Sequence, residues 1–143
     1  MSYATQTQLI ERAGEAMIIA LSDRDAVATG VVNAAVVARA LSDADAVIDG
    51  YLAGRYALPL ASTPALICDL AQAIALYKLY TSDPEAKIKA DYDQALRMLR
   101  EIAKGEFRLT NLAGIAAAST DTSGVLITDR DRPFTAQTMT GFI

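Results

Sequence analysis

Asn33-Ala34-Ala35-Val36-Val37-Ala38-Arg39-Ala40-Leu41-Ser42-Asp43-Ala44-Asp45-Ala46-Val47-Ile48-Asp49-Gly50-Tyr51-Leu52-Ala53-Gly54 is the stretch that decides the fold. Asn33 is a good N-cap, because its short amide side chain accepts from the free N–H groups of a first helical turn. Val37, Leu41, Ala44, Ile48 and Tyr51 then recur at steps of three and four, which draws one apolar stripe along a long helix. Arg39, Asp43, Asp45 and Asp49 lie off that stripe. A helix with one dry side needs other helices to cover it.

The flanking sequence supplies them. Pro59 stops any continuation, since it lacks an N–H and disfavours helix at Leu58. Thr63-Pro64 reads as a cap and proline start for a helix to about Tyr80. Leu66, Ile67, Leu70, Ala71, Ile74, Ala75 and Tyr77 cover most of its circumference, so it should be the central helix. Asp83-Pro84 repeats the start signal, and Ile88, Tyr92, Ala95, Leu96, Leu99 and Ile102 follow, with Gly105 as the stop. On the N-terminal side, Thr5 and Gln8 have capping-box spacing for a short helix through Arg12. Gly14 suits a left-handed residue ending it. A second short helix spans 15–21, and Ser22-Asp23-Arg24-Asp25 is a polar turn. These readings predict an all-α protein: a compact bundle of about four to five helices over residues 1–109, with an extended C-terminal arm over 110–143. The arm is rich in Thr, Ser, Ala and Gly and shows no helical stripe; Val125-Leu126-Ile127 is its one candidate strand.

Composition limits the function. The chain has 143 residues and a net charge of −4, with no histidine and one cysteine, Cys68. One domain is expected. Its residues are 52% hydrophobic, but many of these are alanine, which packs closely and buries little area. That predicts a thin core that gains stability from neighbouring subunits. No concentration of Lys and Arg suits tight phosphate binding, whereas an acidic wall lets DNA slide past. A lone thiol forms no internal disulfide, no stretch reaches the roughly 18–20 apolar residues of a membrane span, and residues 1–8 lack the pattern of a signal peptide. The cytoplasm of the producing cell is the expected place of synthesis.

Catalytic chemistry has little to stand on. Without histidine there is no Ser–His or Cys–His pair and no histidine metal ligand. Cys68 falls on the most apolar helix, where a thiol acts as a small hydrophobe. Asp23 and Asp25 open like a calcium loop, but Val27, Ala28 and Ala34 stand where ligand, glycine and glutamate belong. We therefore expect no enzyme activity, no metal and no cofactor. Asp43, Asp45 and Asp49 are either a solvated acidic face or a surface toward a subunit or lumen; Asp45 and Asp49 are like charges one turn apart, destabilising unless paired. Gly50 and Gly54 either allow close backbone approach or mark fraying before Pro59. In the arm, Arg130, Arg132 and Phe134, with Met139 and Phe142 beyond, have the chemistry of binding hot spots; an ordinary loose terminus is the competing reading. The arm's length and spaced anchors favour docking on a partner.

The run Ala44-Asp45-Ala46-Val47-Ile48-Asp49-Gly50-Tyr51-Leu52-Ala53-Gly54-Arg55-Tyr56-Ala57-Leu58-Pro59-Leu60 resembles the hallmark of the Mu-like phage and prophage virion protein family, often described as a domain of unknown function. Tyr3-Ala4-Thr5 with Leu9-Ile10 and Gly14, the Ser22–Asp25 turn, the helix from Pro64 to Tyr80, and Arg132-Pro133-Phe134 through Met139, Gly141 and Phe142 are similar too. The loop Ala26-Val27-Ala28-Thr29-Gly30 departs from it, since relatives often carry a glycine- and Asp-rich loop there. The resemblance implies a virion neck protein, similar to helical head–tail connectors that form twelve-fold rings between portal and tail and reach out with a C-terminal arm. It implies self-association, portal and tail or tail-completion partners, DNA passing without specific binding, and no membrane. On this view Asp43, Asp45, Asp49 and Arg55 face a subunit or the lumen. A tail-completion or terminator protein at the same junction, and a small prophage regulatory binding protein, are the competing expectations.

Overall fold

The computed structural model describes residues 2–60 and 62–109, and those residues hold five helices: α1 (Gln6–Ala13), α2 (Glu15–Ser22), α3 (Ala34–Leu52), α4 (Ala65–Leu79) and α5 (Ala86–Lys104). Val125-Leu126-Ile127 and the whole arm lie outside the described residues.

Each helix starts and stops where local chemistry dictates. Thr5 Oγ1 accepts from the Gln8 N–H at 3.3 Å and Gln8 Oε1 accepts from the Thr5 N–H at 2.9 Å, closing the expected capping box of α1. Gly14 has φ +87°, as a glycine stop should, but ψ 142°. That pairing turns the chain straight into α2, so one residue caps both helices. Asn33 Oδ1 accepts from Ala35 and Val36 N–H groups and opens α3. α3 closes at Leu52, short of Gly54, because Arg55 and Tyr56 both donate back to the Leu52 carbonyl at 2.9 Å. Gly105 stops α5 in the left-handed region.

Two starts differ from expectation. Thr63 does not cap α4; Pro64 is extended at ψ 147° and occupies the N-cap position, with its carbonyl accepting from Cys68 N–H. After Asp83-Pro84 the chain runs extended one residue further, so Glu85 is the N-cap of α5. Both prolines stand just outside their helices.

α4 is the centre. Ile67, Leu70, Ala71, Ala73, Ile74, Ala75, Leu76 and Leu79 are all buried, a set that points in nearly every direction around its axis. α3 covers one side with Val37, Ala40, Leu41, Ala44, Ile48 and Leu52. α5 covers another with Ile88, Ala95, Leu99 and Ile102. Tyr77 of α4 and Tyr92 of α5 stack with centroids 3.9 Å apart and planes 8° apart. Buried alanines let α3 and α4 approach closely. α1 crosses α3 and α4, where its Leu9 is sealed from solvent. Arg12 of α1 pairs with Asp69 of α4, but the carboxylate is exposed, so the pair adds little.

The ends of the helices set the directions. The residues after α3 meet those after α5, since Arg55 lies against Gly105 and donates to the Lys104 carbonyl. Arg24, beside the start of α3, reaches the Leu79 carbonyl at the end of α4. So α3 and α5 run one way and α4 runs back between them.

Ile74 is fully buried at the middle of α4. Ile74→Ala is expected to lower unfolding free energy by about 2–5 kcal/mol, read as a lower urea midpoint with unchanged slope.

Candidate assembly surfaces

The acidic positions of α3 divide by task. Asp45 and Asp49 sit on successive turns and both face the N-terminal segment. The Tyr3 backbone N–H donates to Asp45 Oδ1 at 3.0 Å, and the Tyr3 phenol donates to Asp49 Oδ1. The Tyr3 ring is 5% exposed. Burial raises its phenol above the ordinary 10.0, and the Asp49 hydrogen bond and the two nearby carboxylates add to the shift. The like-charge pair is thereby supplied with donors, and residues 2–4 become part of the body. Asp43 is exposed and has no side-chain hydrogen bond or ion pair among the described residues. Arg55 is half-buried; its guanidinium lies over the Gly105 backbone and donates to the Lys104 carbonyl at 3.5 Å. A cation there suits the negative end of α5. Of the four residues grouped as a subunit or lumen face, Asp43 is exposed and the other three are half-buried.

The Ser22–Asp25 turn is a second fixed feature. Ser22 is buried, and its Oγ accepts from the Asn33 N–H at 3.1 Å. Asp23 Oδ2 accepts from Thr29 N–H at 2.8 Å and Gly30 N–H at 2.9 Å, while Oδ1 accepts from the Thr29 hydroxyl. The Gly30 backbone bond, opposed by burial and aided by the two bonds from Thr29, holds this carboxyl below its ordinary range. Donors fill the positions a calcium ion would need. Arg24 Nε donates to the Leu21 carbonyl at 2.9 Å and Nη2 to the Leu79 carbonyl, closing the ends of α2 and α4 together.

That turn presents an apolar loop. Val27 is 77% exposed and Val31 61%. Further along the body, Ala46, Val47, Gly50 and Tyr51 of α3 and Tyr92 and Leu96 of α5 line an open groove of about 380 Å³. A Cβ added at Gly50 meets nothing within 4 Å, so the groove lip is open there. A smaller cleft of about 100 Å³ lies beside the Arg12–Asp69 pair, between α4 and α5.

Cys68 is half-buried and in polar contact: its Sγ lies 3.5 Å from Gln8 Oε1 and 3.3 Å from Gln72 Nε2. No group of three or more metal-ligating side chains occurs among the described residues. No helix among them is long and apolar enough to cross a membrane. Arg130, Arg132, Phe134, Met139 and Phe142 lie outside the described residues.

Periodicity alone missed Tyr3, Arg24, Val27 and Val31. Tyr3 and Arg24 act across long sequence separations, and the two valines fall in a loop with no helical register. The one sequence signal was indirect: Tyr3 and Arg24 both belong to the stretches that carry the family resemblance.

Together these features define a small helical-bundle protein whose distinctive chemistry lies in its loops, helix ends and grooves. The family model described as Bacteriophage Mu, Gp36 matches residues 3–127, and the chain belongs to that family. It is 33% identical to Gene product J of Escherichia phage Mu over 143 residues, covering all of both chains. It is 38% identical over 73 residues to the Mu-like prophage FluMu protein gp36 of Haemophilus influenzae, which covers 51% of this chain and 52% of that one. This is a protein of Mu-like phages and prophages.

Tyr3→Phe removes the donor to Asp49 and is expected to cost about 1–2 kcal/mol in urea unfolding; Tyr3→Ala also loses the buried ring and costs about 3–5 kcal/mol. The Tyr3 hydroxyl contributes fully below its ordinary value of 10.0, and its contribution is lost as pH rises through the higher folded value. Asp23 has the opposite sign. Its depressed carboxyl supports the loop fully above the ordinary 3.8, and the support is lost as pH falls through the lower folded value. The hydrogen-bonded amide shifts of Thr29 and Gly30 are therefore expected to hold through neutral pH and collapse in acid, and Asp23→Ala to abolish them at every pH.

Proposed function

We propose that the protein is a structural component of a Mu-like phage or prophage particle, acting in the virion neck as a head–tail connector that forms a ring between portal and tail. The family supports a role in building the particle. One structural observation carries the finer reading. The described body ends with the Leu109 N–H donating to the Tyr56 hydroxyl at 3.3 Å, at the end of the bundle where α3 and α5 both stop. The arm of residues 110–143 therefore leaves from a fixed point on a body that already has its own closed core.

A body with an arm set at one end is suited to stacked assembly. The body packs beside its neighbours, and the arm reaches along the particle axis to the portal or the tail. Arg130, Arg132, Phe134, Met139 and Phe142 are the anchors of that contact. Ordering them costs roughly 1–2 kcal/mol per residue fixed, so docking has to bury the apolar anchors or be multivalent. Asp43 and the net charge of −4 suit a lumen that DNA crosses without adhering. The reading gives the protein no catalytic step, no cofactor and no membrane partner, and it places synthesis in the host bacterial cytoplasm.

Deleting the gene from its phage or prophage and imaging the particles by electron microscopy tests this. Filled or leaking heads beside complete free tails are expected. Joined, infectious particles would remove the connector reading. Truncation after Leu109 is expected to reproduce the deletion defect while the body keeps its helical circular dichroism.

A further inference from the structure

The α3–α5 groove is an apolar surface left open on a finished body. Val47, Tyr51, Tyr92 and Leu96 are half-buried: each packs on the core and also lines the groove. Ala46 and Gly50 add little bulk, and the lip at Gly50 is open.

The chain leaves the described body near one end of this groove. After the Gly105 stop it turns from α5 toward α3, where the Leu109 N–H donates to the Tyr56 hydroxyl at 3.3 Å. Leu109 itself still packs on the core. Back along α5 from Lys104, Leu96 lies about 12 Å away and Tyr92 about 18 Å. A chain reaches at most about 3.3–3.6 Å per residue, so Leu112 lies within about 10 Å of Leu109 and Ile115 within about 20 Å. These are the first two large apolar residues of the arm, and their reach matches the near and far walls of the groove. Ala113, Gly114 and Ala116 beside them are small enough for a narrow recess.

We infer that Leu112 and Ile115 seat in the α3–α5 groove of their own chain. The short tether is what favours this occupant over others. A segment held so close to the groove is present there at an effective concentration on the order of millimolar. A second copy, or a separate protein of similar apolar chemistry, has to match that concentration from solution. The extent of the family match agrees: it runs from residue 3 to 127, so this segment is matched together with the body, whereas Arg130, Arg132, Phe134, Met139 and Phe142 fall beyond it. The groove is thus an internal docking site, and the free reach of the arm begins after Ile115. This docking concerns the free chain and does not rest on the connector reading.

The test labels the full chain with a fluorescent maleimide in a Cys68→Ser background, so that one introduced thiol reports. Gly50→Cys puts that thiol on the groove lip, where an added Cβ meets nothing within 4 Å. Its labelling is expected to be roughly tenfold slower than in the same chain carrying Leu112→Ser and Ile115→Ser, with unchanged helical circular dichroism. Ala38→Cys, at an exposed α3 position outside the groove, is expected to label equally fast with and without the serines. Equal rates at Gly50→Cys in the two backgrounds overturn the inference. Shielding that grows with protein concentration gives the groove to a second copy and likewise overturns it. Nuclear Overhauser contacts in the unsubstituted chain provide a measurement that needs no variant to fold. Contacts from the Leu112 and Ile115 methyl groups to the Tyr51 and Tyr92 ring protons are expected, and their absence sinks the docking.

Discussion

The burial of α4 on nearly every side is the constraint on which the rest of the structure depends. A helix bearing Ile67, Leu70, Ala71, Ala73, Ile74, Ala75, Leu76 and Leu79 has no face fit for water. It must be covered by at least two helices running beside it. α3 and α5 do this with single apolar stripes, and α1 closes the remaining side. Much of the covering is by alanine: Ala40, Ala44, Ala71, Ala73 and Ala75 are all buried. Close approach replaces bulk, so the core is dense but carries little area per residue.

Thin packing makes the polar ties at the helix ends matter more. Tyr3 fastens the N-terminal segment to α3 through two carboxylates that would otherwise repel. Ser22 and Arg24 bind the ends of α2 and α4 to the start of α3. Arg55 lies over the end of α5. Arg24 and Arg55 satisfy carbonyls that helices leave unpaired at their ends. Three of these residues act across long sequence separations: Tyr3 reaches Asp49, Arg24 reaches Leu79 and Arg55 reaches Lys104. The bundle is held from inside by apolar contact and at its corners by these bonds. The turn after α2 is tied most, with Asp23 accepting from Thr29 and Gly30 and Arg24 donating to Leu21 and Leu79.

Local signals made the helices legible. The stripe of α3, the all-round apolar character of α4, the capping box at Thr5 and the glycine stop at Gly105 all act within a few residues. Both proline starts misplaced the first helical residue slightly, because Pro64 and, after Pro84, Glu85 took an extended ψ and left both prolines outside their helices. The acidic residues of α3 were harder. Sequence showed Asp43, Asp45 and Asp49 off the apolar stripe, but the identity of Tyr3 as the donor depends on where the N-terminal segment lies in space. Likewise, no local pattern reports that the Arg55 guanidinium lies over the end of another helix. Helical periodicity reports which side of a helix is dry; it does not report which polar residue meets which.

The same reasoning bears on the proposed self-association of this acidic, alanine-rich chain. A thin core favours many modest contacts over one strong interface. Identical copies multiply a weak contact, and fixed loops keep its geometry the same at each repeat. Firm loops also reduce the ordering that each docking event requires. A body of this kind offers one shape, and its described part ends where the Tyr56 hydroxyl accepts the Leu109 N–H.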